Sequence, residues 1–289
     1  MSPGATGRSL ALIEGAGMKI VVIGASGRIG RRLVKTLAIQ GCDVVGASPS
    51  SGVDALTGAG LRQALVDADV VVDCSNSPSI QSAANFFART THNLLAAEER
   101  AGVRHHVLLS IVGLERLLAG VYFRAKKIQE EFAKASDIPF TIVRSTQVFD
   151  FISGVVQNGG ANAIPIAPAL VQPIAAEDVA QFLAGTALGE PVKATVEIAG
   201  PERFRLDALA DEMATLYEDG RRIVADAHAP YFGVELEERF LLPTADAWLG
   251  PTRFDDWLRS TLQPAIAAYK RLPVKLPPAA SQVPLRVPQ

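Results

Sequence analysis

The chain has 289 residues, 48% hydrophobic and 20% charged, which supports a sizeable buried core and excludes disorder for most of its length. With 28 basic and 30 acidic side chains the net charge is −2, so no global field draws nucleic acid or anionic lipid. No apolar run approaches the roughly 18 residues of a membrane span, and two cysteines (Cys42, Cys74) with four histidines support neither a disulfide framework nor a zinc site. A cytoplasmic protein without metal, bound to neither nucleic acid nor membrane, is the expectation.

Residues 1–17 carry only the short apolar stretch Leu10 to Ile13, too little for a secretory signal. They read as a flexible extension, with Met18 as a candidate original start. From Lys19 onward, short β-branched runs alternate with helix-length amphipathic segments, the pattern of a parallel α/β sheet. Strands are predicted at 19–23, 43–46, 69–74, 105–110, 140–144 and 195–199. Helices are predicted near 28–40, 59–68, 79–101 and 122–136, then 177–188 and 206–217. Gly102 and Pro139 mark the ends of two of them. Residues 145–176 mix Gly, Pro, Asn and apolar residues and read as loops and short strands around a cleft. The stretch from Pro273 holds five prolines in 17 residues and reads as an extended tail.

The first strand leads into Ile23-Gly24-Ala25-Ser26-Gly27-Arg28-Ile29-Gly30, and a helix opens there. Gly24 permits the sharp turn, Gly27 lets backbone amides approach a pyrophosphate, and Gly30 allows helix and sheet to pack. The helix N-terminus adds unpaired donors and a positive dipole end. A second glycine string, Gly4 to Gly7, has no strand before it. An acid at the end of the second strand would hold a ribose 2′-hydroxyl, as NAD sites use; here the segment is Val45-Gly46-Ala47-Ser48-Pro49-Ser50-Ser51, and Asp43 sits at the wrong end. Arg28 and the hydroxyls of Ser48, Ser50 and Ser51 could accept a 2′-phosphate instead, so NADP is favoured over NAD. Residues 47–68 have room for one helix and a very short strand near 53–56, which predicts a thin wall around the adenine. Asn76 and Ser77, after the third strand, are placed near the cofactor's phosphates and ribose.

Tyr122 and Lys126 stand at i and i+4 of a predicted helix, so phenol and ammonium share a face. A nearby ammonium favours phenolate and so lowers the phenol's pKa, as a proton donor to a carbonyl requires. Ser110 ends the fourth long strand at the sheet edge where α/β ligands bind. Asn85 and Asn93, on the preceding helix, are weaker polar candidates.

The glycine spacing resembles the short-chain dehydrogenase/reductase superfamily. Leu94-Leu95-Ala96-Ala97, Gly102 to Val107, Val171 to Ala180 and Glu197 to Glu202 resemble its atypical NmrA-like, NAD(P)-binding branch over about residues 18–260. The resemblance implies a Rossmann-like doubly wound sheet, with an NAD(P)-binding domain at 18–145. A smaller substrate-binding region at 146–272 is partly interleaved with the sheet. It implies catalytic roles for Ser110, which orients the substrate carbonyl, for Tyr122, which protonates it, and for Lys126, which also holds the nicotinamide ribose. The substrate, a small and fairly apolar carbonyl or quinone, would lie among Ile111, Val112, Thr146, Val148, Phe149 and Phe151. Regulators of the same family bind dinucleotide without turnover, and that is the alternative. Arg144-Ser145 departs from the Arg-Pro of relatives. The long helix carries Phe86, Phe87, Leu94 and Leu95, which cannot all face one sheet, so a homodimer is plausible.

Overall fold

Strand β1 (Lys19–Ile23) is buried on both faces, because β-branched residues alternate between two helical layers. The computed structural model describes residues 17–157, 163–217 and 220–269. After β1 come α1 (Arg28–Ile39), β2 (Asp43–Ala47), α2 (Leu61–Ala64), β3 (Val70–Asp73), α3 (Ala83–Ala101), β4 (His105–Ile111), α4 (Val121–Ala135) and β5 (Phe140–Ser145). There follow α5 (Phe149–Gln157), β6 (Ala163–Ile166), β7 (Leu170–Val171), α6 (Ala176–Leu188), β8 (Thr195–Ala199), β9 (Phe204–Arg205), α7 (Leu206–Leu216), β10 (Arg222–Ala225) and β11 (Trp248–Leu249). A second compact unit begins at Phe254 and contains α8 (Phe254–Tyr269). No described helix is long and apolar enough to cross a membrane.

The main sheet has seven strands in the order β11-β8-β5-β4-β3-β1-β2, all parallel. Ile20 and Val22 pack with Leu33 and Leu37 of α1 and with Val179 and Leu183 of α6. Val21 and Ile23 pack on the other face with Leu61, Leu65, Leu94 and Leu95. The expected Rossmann-like doubly wound architecture is present. Because β1 lies between β2 and β3, the chain reverses direction across the sheet there, which opens a crevice at the strands' carboxyl ends.

Three expectations are corrected. The second crossover contains no strand at 53–56: Asp54 and Ala59 form one isolated bridge, and α2 is a single turn. Asp54 folds that segment on itself, accepting the Leu56 amide at 2.9 Å, and Asn93 donates to the Ala55 and Leu56 carbonyls, each at 3.0 Å. The long helix starts at Ala83 rather than 79, because Ser77, Ser79 and Ser82 hydrogen-bond one another in a turn before it. Residues 149–157, read as loop, form helix α5. Phe86 and Phe87 do point different ways: Phe87 is in the core, Phe86 lines a cavity. The tail from Pro273 and the glycine string at 4–7 lie outside the described residues.

The two distant blocks Val171–Ala180 and Glu197–Glu202 meet. Gln172 donates to the Gly200 carbonyl at 2.8 Å, and Arg203 donates to Gln172 at 2.9 Å. A Cβ on Gly200 would collide with the Pro173 carbonyl. Gly200→Ala is therefore expected to destabilise the protein by about 2 kcal/mol or more, read as a lower midpoint in urea.

Candidate active site

At the carboxyl ends of β1, β3, β4 and β5 lies a cavity of about 600 Å³. One end is the glycine turn. Gly24 has φ +75°, and a Cβ there would come within 2.9 Å of the Cys74 carbonyl; a Cβ on Gly30 would collide with the Gly24 carbonyl. A Cβ on Gly27 would meet only the Gly24 oxygen, at 3.1 Å. Helix α1 starts at Gly27 with no side-chain cap and no acid in its first turn, so its amides are unclaimed by side chains. Backbone donors in a cradle too tight for side chains fit a pyrophosphate.

The ribose corner differs in detail from expectation. Ser48 is buried, and its hydroxyl is 2.9 Å from that of Ser50, while Ser51 donates to the Gly46 and Ser48 carbonyls. The serine turn is thus tied to itself, which leaves exposed Arg28 as the cation lining this end of the cavity.

At the other end, Tyr122, Lys126 and Glu130 form a stripe at i, i+4 and i+8 on α4, all buried. The Tyr122 hydroxyl donates to Asn76 Oδ1 at 2.8 Å. Burial pushes its pKa up to about 12, against the pull of the Asn76 bond. The expected lowering of the phenol by Lys126 is not found. Lys126 itself is brought down to about 8 by burial, opposed by the negative charge of Asp73 and Glu130, and its Nζ stands 4.8 Å from the centre of the Phe87 ring. Asp73 accepts from Gln129 Nε2 and from the Ser75 amide, each at 2.8 Å.

Ser110 lines the cavity, but its hydroxyl donates to Glu130 at 2.6 Å. Arg144, beside Ser110 in the β4–β5 register, grips the same carboxylate through Nε at 2.8 Å and Nη2 at 2.7 Å and also binds Glu115. Arg144 is therefore the counter-ion of this network, while Ser145, where the sequence departs from the Arg-Pro of relatives, donates to the Thr146 carbonyl at 2.8 Å. Among the other expected residues, Ser26, Ile29, Asn76, Ile111, Thr146, Val148 and Phe151 also line the cavity, whereas Ala25, Ser77, Val112 and Phe149 do not. Val112, just past β4, and Phe149, at the start of α5, are core residues.

The sequence reading missed Phe123, Gln147, Tyr231 and Phe232. The last two come from a loop more than a hundred residues beyond Tyr122, and only their adjacency as two aromatics hints at a shared task. Phe232 has φ +50°, a left-handed conformation that a bulky residue adopts at a cost of about 1–2 kcal/mol. Its ring centre is 5.1 Å from that of Tyr122 and 5.8 Å from that of Phe151.

Residues 24–189 match the family model of NAD(P)H-binding proteins, more than half of the chain. The chain belongs to this family. No match is found among curated proteins. Among solved structures, the dTDP-4-dehydrorhamnose reductase of Bacillus anthracis in complex with NADP is 14% identical with a TM-score of 0.60, over 84% of this chain and 92% of that one. The enzyme WbmG of Bordetella bronchiseptica in complex with NAD is 16% identical with a TM-score of 0.63, over 89% and 96%. A short-chain dehydrogenase/reductase superfamily protein of Agrobacterium tumefaciens with bound NAD is 19% identical with a TM-score of 0.62, over 87% and 99%. The fold is the one these solved structures share, and the family is one of NAD(P)H-binding proteins, which makes a nicotinamide dinucleotide the cofactor.

Lys126 bears directly on stability. Its pKa in the fold, about 8 against an ordinary 10.5, means that the charged form is penalised. The penalty is complete below pH 8 and fades as the pH rises toward the ordinary value. Stability is expected to rise with pH above about 8 in the unaltered protein, and Lys126→Met to lose that rise, read as the pH dependence of thermal melts.

Proposed function

We propose that the protein is an NADP-dependent reductase that transfers hydride to a small, fairly apolar carbonyl or quinone. The observation that carries this reading is that the Tyr122 phenol and the Lys126 ammonium line the same cavity as the glycine turn. A bound dinucleotide supplies the hydride. Gly24, Ser26, Gly27 and Ile29 would hold its pyrophosphate, Arg28 and Ser48 the 2′-phosphate end, and Asn76 and Lys126 the nicotinamide ribose.

Within this reading, Tyr122 exchanges its bond to Asn76 for one to the substrate oxygen and gives that oxygen a proton. Its raised pKa keeps the phenol protonated until charge develops on the acceptor. Lys126, charged below about pH 8, favours the phenolate left behind. Ser110 meets the same oxygen after its hydroxyl turns away from Glu130. Thr146, Ile111, Val148 and Phe151 enclose the substrate, and the barrier falls mainly through positioning and hydrogen bonding of the developing oxyanion.

A second reading has one observation in its favour. Both hydroxyls already have protein acceptors, Asn76 and Glu130, which suits a dinucleotide-responsive regulator without turnover. The deciding experiment is NADPH oxidation with a panel of aldehydes, ketones and quinones. Tyr122→Phe is expected to cut turnover of a carbonyl by about a hundredfold with NADPH binding nearly unchanged. Tight NADPH binding without turnover of any substrate by the unaltered protein would favour the regulator.

Cofactor choice is tested separately by calorimetry. NADPH is expected to bind more tightly than NADH, and Gly27→Val to weaken both. Equal affinities would remove Arg28 from its assigned role.

A further inference from the structure

Tyr231, Phe232, Gly233 and Val234 form a tight turn, closed by a bridge in which the Tyr231 amide donates to the Val234 carbonyl at 2.8 Å and the Val234 amide to the Tyr231 carbonyl at 3.0 Å. Both central residues have positive φ, +50° at Phe232 and +81° at Gly233. Turns with two such residues favour Asn-Gly or Asp-Gly, since Asn and Asp tolerate the left-handed region and phenylalanine does not. The turn itself therefore gives no reason for a phenylalanine. A local conflict of this kind points to a task for the side chain.

The ring shows what that task involves. Phe232 packs nearly parallel to both Tyr122 and Phe151, tilted only 30° from the first and 22° from the second. Phe123 and Tyr231 close the sides edge-on. The slot these rings form around Phe232 has Tyr122 itself as one wall. Its walls are flat and uncharged, and the cavity wall also holds the Gln147 amide and the buried Thr146 hydroxyl, which has no hydrogen-bond partner among the described residues. The cations lining the cavity are Arg28, at the glycine turn, and Lys126, one helical turn from Tyr122.

We infer that Phe232 is a plug occupying the seat of the substrate's own ring, and that this seat selects a planar aromatic carbonyl compound, which displaces Phe232 on entry. The inference rests on the reductase reading for the word substrate, although the seat can be tested without turnover. Aromatic faces stack on a flat ring and leave a puckered saturated ring of equal size with poorer contact.

The test uses the full chain loaded with NADP⁺, which cannot donate hydride, and compares acetophenone with cyclohexyl methyl ketone by ligand-observed NMR titration. Acetophenone is expected to bind the unaltered protein about threefold to tenfold more tightly. Phe232→Asn, which suits the turn and removes the plug, is expected to keep or raise the melting temperature and to tighten acetophenone further. Phe232→Gly provides a second ringless variant. Equal affinity for the two ketones, or weaker acetophenone binding in both variants, would overturn the plug. Selective binding in this assay combined with no NADPH-dependent turnover of acetophenone or of any member of the aldehyde, ketone and quinone panel would leave the seat standing and remove the reductase reading alone.

Discussion

A buried ammonium sets the terms of this site. Lys126 is 4% exposed, and taking such a group out of water is costly unless negative charge and π-electron density surround it. Around it stand Asp73, Glu130 and the face of Phe87, and each needs support of its own. Asp73 leans on Gln129 and the Ser75 amide, and Glu130 leans on Arg144, which in turn draws in Glu115. One cation thus organises residues from β3, the loop after it, α3, α4 and β5. Ser110 belongs to the same arrangement through its bond to Glu130.

Much of the architecture was legible because it depends on short-range patterns. Parallel strands buried on both faces read as β-branched runs, and a helix face reads as a period of about 3.6 residues. The glycine turn was legible because steric exclusion fixes it: Gly24 and Gly30 lie too close to backbone for any other residue. The pairing of Tyr122 with Lys126 followed from helix geometry alone. Their electrostatics did not, because a spacing carries no information about burial, and burial dominates both groups.

What stayed hidden depends on contacts between distant segments. Glu130 is two helical turns from Tyr122, yet nothing in the local sequence ties it to Arg144. His105 and His106 are buried at the start of β4, and no local pattern announces the His106–Glu98 contact at 3.0 Å. Tyr231 and Phe232 were missed for a plainer reason: a positive φ at phenylalanine contradicts every turn rule that a sequence reader applies. The short second crossover was anticipated, but its filling was not, since Asn93 holds it from a different element.

That short crossover has a consequence for how the molecule avoids sticking to its own kind. With no strand added outside it among the described residues, β2 ends the sheet and offers backbone groups that a neighbouring chain could extend. The edge is made unattractive in three ways. It is only five residues long, it begins with the exposed charge of Asp43, and it carries Gly46, a poor strand former. Ser51 then folds back and occupies the Gly46 carbonyl. The serine turn that was expected to read a phosphate thus serves as a guard on the open side of the sheet, blocking strand addition at the position nearest the cofactor crevice.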